Sequence, residues 1–205
     1  IAVIAVPSFG GRVPALASGR LSAVLGNQAR CVLVCVYGNH AYEVTLTELN
    51  DVAVSCGFQT VAAVAAIAEH SIAHQYAAGR PDDQDRKTLH DFAEKIAKKL
   101  EDTSRNVSAF EIPGNNPYKY AGRGGVIPKA DSNCTYCGLC AVDCPAQAIS
   151  KENPRNTDSS KCISCMRCVA QCPQSARKVS SVMVSAVALA LKKSCSARKE
   201  PELYL

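Results

Sequence analysis

A chain of 205 residues with 12 cysteines and 47% hydrophobic residues is long enough to bury a core without disulfide staples. No stretch reaches the roughly 18 apolar residues of a membrane-spanning helix, and no basic region precedes the apolar start as a secretory leader requires. A cytoplasmic, reducing location is therefore expected, and the formal charge of +5 is too small and too scattered to announce a nucleic-acid partner.

Residues 1–6, 31–36 and 60–67 are short apolar runs rich in valine and alanine. They lack strict alternation, as strands buried on both faces do. Residues 13–25, 47–56 and 82–100 between and after them carry helical spacing, and Asp82, Asp83 and Asp85 following Pro81 favour a helix start there. Strand and helix in alternation predict right-handed crossovers and a parallel α/β sheet. Ligands of such sheets bind outside the carboxyl ends of the strands. The loops there read Pro7-Ser8-Phe9-Gly10-Gly11-Arg12, Tyr37-Gly38-Asn39-His40-Ala41-Tyr42 and Glu69-His70-Ser71. Glycines let backbone approach a flat ligand closely, and an aromatic in each of the first two loops can stack on its faces. The chain opens on a strand with no methionine, so upstream residues are expected to be missing from this sequence.

Residues 104–128 read as a linker, marked by Asn115, Asn116, Pro117, Gly122, Gly124, Gly125 and Pro128. Tyr118, Lys119, Tyr120 and Arg123 within it can pack against either neighbour. Residues 179–191 form an apolar, alanine-rich helix expected to pack over the module before it or to bridge to the front domain, and the tail follows. Cys31, Cys35, Cys56 and Cys195 read as buried or half-buried free thiols, and His70 and His74 as a spacing without an evident third metal ligand.

The remaining eight cysteines form two copies of one pattern: Cys134, Cys137, Cys140 and Cys144-Pro145, then Cys162, Cys165, Cys168 and Cys172-Pro173. C-x2-C-x2-C-x3-C-P is the spacing that holds [4Fe–4S] clusters in bacterial-type ferredoxins. Two-residue gaps let one tight wrap deliver three thiolates, and the x3-C-P arm reaches the neighbouring cluster. The expected ligand sets are Cys134, Cys137, Cys140 and Cys172 for one cluster, and Cys162, Cys165, Cys168 and Cys144 for the other. Structural zinc favours two separated C-x2-C pairs instead. Downstream of each run, Ala146-Gln147-Ala148-Ile149 matches Gln174-Ser175-Ala176-Arg177, as an internal repeat requires. Gly138 follows the second cysteine of the first run, but Met166 takes that place in the second. Its thioether is expected to shield its cluster and shift the potential, or only to fill space. Eight thiolates and two oxidised cores bring the net charge to about +1, which removes the remaining electrostatic case for nucleic acid.

Arrangement and length resemble the flavodoxin–ferredoxin fusion proteins of anaerobic bacteria and archaea. The residues that carry the likeness are Gly10-Gly11-Arg12-Val13-Pro14, Tyr37-Gly38-Asn39, Glu69-His70-Ser71, the cysteine runs and Arg198-Lys199-Glu200-Pro201-Glu202-Leu203. The resemblance implies a flavodoxin-like domain over 1–103, a linker over 104–128, a small α+β 2[4Fe-4S] ferredoxin domain over 129–178 and a C-terminal helix and tail over 179–205. It also implies FMN, with Phe9 and Tyr42 stacking on the ring and Ser8, Gly10, Gly11, Gly38, Asn39 and His40 as neighbours. The first strand and phosphate loop of a flavodoxin have no counterpart before Ile1. The expected function is low-potential electron transfer with redox partner proteins. A flavin-dependent reductase fed by the clusters and a flavin-free docking module of a larger redox complex are the alternatives.

Overall fold

A computed structural model describes residues 1–101, 110–120 and 125–205. Ser104, Gly122, Arg123 and Gly124, read from the sequence as linker, lie outside the described residues. The chain divides into two compact units: Ile1–His70, His74–Ala121 and Ser194–Leu205 form the first, and Ser71–Ala73 with Gly122–Lys193 the second.

The first unit is a mixed α/β structure on a mostly parallel sheet. Strands β1 (Ala2–Pro7), β2 (Arg30–Tyr37) and β3 (Gln59–Ile67) lie side by side in chain order. Their crossovers carry helices α1 (Ala15–Leu21) and α2 (Thr45–Ser55), and α3 (Asp83–Glu101) follows β3. The absence of alternation in β2 and β3 has its reason in the packing. Cys31, Leu33, Cys35 and Tyr37 face one core with Leu46, Leu49 and Ala53 of α2, while Val32, Val34 and Val36 face another with Leu89, Phe92, Ile96 and Leu100 of α3. Apolar residues on both faces leave no polar side to alternate with. Helix α1 is shorter than the expected 13–25.

Helix α3 starts where its carboxylates foretold. The amide of Asp85 donates to Asp82 Oδ1 at 3.0 Å and that of Asp82 to Asp85 Oδ2 at 2.9 Å, a reciprocal cap of two orphan donors. Asp85 is wholly buried and accepts from Arg80 Nε at 2.6 Å, from Arg80 Nη2, and from Arg198 Nη2 at 3.3 Å.

The tail joins the sheet of the first unit. Residues Glu202–Tyr204 form an antiparallel strand (called β6 below) on β3, pairing Ala63 with Tyr204, Val64 with Leu203 and Ala65 with Glu202. Of the described linker residues, 110–120 belong to the first unit and 125–128 to the second. Phe110 and Ile112 pack on the core of the first unit, the Arg12 guanidinium lies 4.9 Å from the Tyr118 ring centroid, and Lys119 pairs with Glu43. Tyr120 stays exposed.

In the second unit, β4 (Lys129–Ala130) pairs antiparallel with β5 (Arg177–Lys178), and two single-turn helices, α4 (Leu139–Val142) and α5 (Arg167–Ala170), begin inside the cysteine runs. The halves mirror one another: the amide of Asp131 donates to Ala176 O at 3.0 Å, and that of Asp158 to Ala148 O at 2.7 Å. Helix α6 (Ser181–Cys195) keeps Val182 and Leu189 exposed. No helix among the described residues is long and apolar enough to cross a membrane.

Asp85→Ala would leave the buried Arg80 guanidinium without its carboxylate and should destabilise the first unit by about 3–5 kcal/mol, read by urea unfolding. The Arg80 hydrogen bonds hold the Asp85 carboxyl below its ordinary value. Its contribution is thus complete above the unfolded carboxylate range near pH 4 and is lost as pH falls through the lower folded value. The difference between wild type and Asp85→Ala should shrink in that acid window.

Candidate metal centres

Each cysteine run wraps through the left-handed region at matched places. Tyr136 (φ 59°) answers Ser164 (55°), Gly138 (76°) answers Met166 (59°), and Gln147 (50°) answers Ser175 (47°). Such turns make successive amides converge on a concavity that favours anions. They are costly for side-chain-bearing residues, and five of the six carry one. Past the last cysteine of each run the amide of the following alanine donates to the sulfur: Ala148 to Cys144 Sγ at 3.2 Å and Ala176 to Cys172 Sγ at 3.3 Å.

The wraps enclose two cavities of about 380 Å³ and 340 Å³, mouths included. One is lined by Cys162, Cys165 and Cys168 together with Cys144 of the other run. The second is lined by Cys134, Cys137 and Cys140 together with Cys172. Among the described residues no three cysteine sulfurs lie within 4.8 Å of one another, whereas a tetrahedral zinc with bonds near 2.3 Å brings its sulfurs to about 3.8 Å. Four cysteines on each cavity, in C-x2-C-x2-C-x3-C-P spacing, suit a cage of several irons. Cys137 is exposed and its counterpart Cys165 half-buried, and Met166, 5% exposed, lines the one cavity where Gly138 lines the other.

Electrostatics differ between the thiols. Burial pushes Cys168 up to about 11 against the opposing charge of Arg177. At Cys172 burial also acts upward, but amides of Arg177, Ala176 and Gln174 with the Arg177 charge outweigh it, and the thiol lies below its ordinary value.

The loops at the carboxyl ends of β1 and β2 are filled by the chain itself. Ser8 Oγ shares a 2.8 Å hydrogen bond with Thr45 Oγ1, and Phe9 and Arg12 exchange backbone hydrogen bonds around Gly10 and Gly11. Arg12 is held by Glu48 at 2.6 and 2.8 Å. A Cβ on Gly11 would meet Glu43 at 2.6 Å, and one on Gly38 would meet His70 at 2.9 Å, so these glycines serve packing. Asn39, 2% exposed, donates to Cys195 O and Ala197 O at 2.9 and 2.8 Å and accepts from the Lys199 amide. The carbonyl of His40 takes the Lys199 ammonium. Burial, then Lys199, holds the His40 ring below its usual range. Tyr42 stands edge-on to Tyr37 with centroids 5.2 Å apart and hydrogen-bonds Glu202 and Tyr204 of the tail. Sequence reading missed this use of the tail, because contacts made across some 160 residues leave no local signal.

Residues 127–185 match the 4Fe-4S dicluster domain family. The second unit is thus a ferredoxin-type iron–sulfur domain, built for electron transfer. A trichloroethene reductive dehalogenase of Dehalococcoides mccartyi is 42% identical over 55 residues, covering 20% of this chain and 10% of that protein. The chain spans about a tenth of the length of the curated relative it matches.

Gly138 has open space around its missing Cβ, so a side chain there meets only the backbone penalty of its φ of 76°. Gly138→Val should cost about 1–2 kcal/mol in denaturant unfolding of the holoprotein, and Gly138→Asn clearly less.

Proposed function

We propose that the chain carries single electrons at low potential between redox partner proteins through two [4Fe–4S] clusters. One is held by Cys134, Cys137, Cys140 and Cys172, the other by Cys162, Cys165, Cys168 and Cys144. The observation that carries this reading is the lining of the two cavities, each taking three cysteines from one run and the Cys-Pro arm of the other. Bound there, a cluster supplies one-electron chemistry at a potential set by burial and hydrogen bonding. The thiolates hold it, the Ala148 and Ala176 amides withdraw charge from the sulfurs they bond, and the open side at Gly138 and exposed Cys137 is where a partner comes within tunnelling reach.

The order β1-β2-β3 supports a likeness of the first unit to the later half of a flavodoxin. A flavin finds no cradle in it, because Asn39 and Tyr42 are committed to the tail and Arg12 to Glu48. We therefore read the first unit as a flavin-free docking module of a larger redox complex. The named reaction of the dehalogenase does not come over, since the match reaches a tenth of that protein.

Anaerobically purified protein should contain about eight iron and eight sulfide per chain and no FMN by absorbance or by mass after extraction. Zinc in place of iron would overturn the cluster reading, and stoichiometric FMN would overturn the flavin-free one. Cys144→Ala and Cys165→Ala should each lower the iron to about four, and the double variant should lose no more than either. Iron near zero in the double variant would break the crossed ligand assignment.

A further inference from the structure

The two halves of the iron–sulfur unit share a backbone but differ at one buried position. The fifth residue after the last cysteine is Ile149 in the first run and Arg177 in the second, 6% and 2% exposed. Ile149 lines the cavity of Cys162, Cys165 and Cys168; Arg177 lines that of Cys134, Cys137 and Cys140. Charged side chains are almost never so buried unless paired. Yet the Arg177 guanidinium meets only neutral acceptors: Nη1 donates to Pro128 O at 3.2 Å and to Thr157 Oγ1 at 2.7 Å, and Nη2 donates to Pro154 O. Nε is buried and has no partner among the described residues. Among the described residues no carboxylate pairs with it, and the thiolates of the adjoining cavity and what they hold are the anions at hand. The backbone amide of the same residue bonds Cys172, and its charge acts on that thiol as well.

We propose that Arg177 is the internal counter-charge of the cluster held by Cys134, Cys137, Cys140 and Cys172, and sets its reduction potential above that of its twin. This rests on the cluster reading given above. One electron from a reduced partner adds one negative charge to the thiolate-bound core, with no bond made and no proton moved. A fixed buried cation stabilises that added charge, where Ile149 offers nothing to the other core. Cys137 is exposed where its counterpart Cys165 is half-buried, and the greater solvent exposure of the first core acts in the same direction. The charge of Arg177 is also felt at Cys168, so the twin responds as well, and the asymmetry rests on the lining, since Arg177 borders the cavity of Cys134, Cys137 and Cys140 and not that of its twin. The two cores then form a step, with an electron resting on the one nearer the open side.

The test is an EPR-monitored redox titration of the full-length holoprotein, with iron and sulfide counted in each sample. Wild type should show two one-electron waves at least tenfold apart in reduction equilibrium, about 59 mV. The higher wave should be the one lost in Cys137→Ala. Arg177→Met should weaken reduction at that wave at least tenfold, and Arg177→Lys, which keeps the charge, by much less. A single wave in wild type would overturn the proposal, and so would unmoved waves in a fully loaded Arg177→Met. Equal falls in the Met and Lys variants would assign the effect to packing and overturn it too. Where Arg177→Met fails to load iron, the separation and assignment of the wild-type waves decide. Wild type without iron and sulfide would instead remove the cluster reading itself.

Discussion

Everything in the second unit follows from one constraint: eight sulfurs must face two small spaces from a backbone only a few residues long. That demands a reversal between successive cysteines, and in an all-L chain the reversal is a left-handed residue. Two matched pairs of such residues lie between cysteines and a third follows the last cysteine of each run, and only Gly138 among the six avoids the steric penalty. Each of the others costs on the order of 1 kcal/mol. A group bound to the thiolates would offset that cost, as metal binding does wherever folding forms the site. The same turns direct amides inward, which offsets the gathering of negative sulfur.

Identical backbones leave side chains to make the halves differ. Gly138 against Met166 changes access of water, and Ile149 against Arg177 changes charge, both at positions that touch the cavities. Neither exchange alters the wrap, because Met166 takes the same left-handed conformation as Gly138 and Arg177 continues the same short strand that Ile149 matches with its bridge to Thr157. Function can thus diverge between duplicated sites without the fold being renegotiated.

What the sequence made legible was what is local. Cysteine spacing is one-dimensional, and strands buried on both faces show as unbroken apolar runs at residues 31–36 and 60–67. The D-x-x-D start of α3 was visible for the same reason, since a cap spans three residues. The strand at Glu202–Tyr204 was not, because three residues ending in Glu-Leu-Tyr carry no periodicity, and its partner lies well over a hundred residues earlier in β3. Asn39 and Tyr42 were read as ligand contacts on the sound premise that polar and aromatic groups at strand ends bind something. They do bind something, and it is residues 195–204 of their own chain. No local pattern reports a hydrogen bond made across such a separation. Arg177 was seen as half of a repeat, but its burial is a tertiary fact.

The tail bears on what the first unit can do. Asn39 alone makes three hydrogen bonds with it, and Tyr42, Arg80 and the Asp82–Asp85 cap add more through Glu202, Lys199 and Arg198. At a net ~1 kcal/mol each, a flat ligand entering beside Asn39 and Tyr42 would first have to displace several kcal/mol of interaction. That lowers its affinity by roughly tenfold for each 1.4 kcal/mol. An edge strand added to β3 would be undone in the same event, because β6 and the Asn39 contacts share one short segment. A sheet whose carboxyl end is sealed in this way is better suited to presenting a fixed surface than to opening for a ligand.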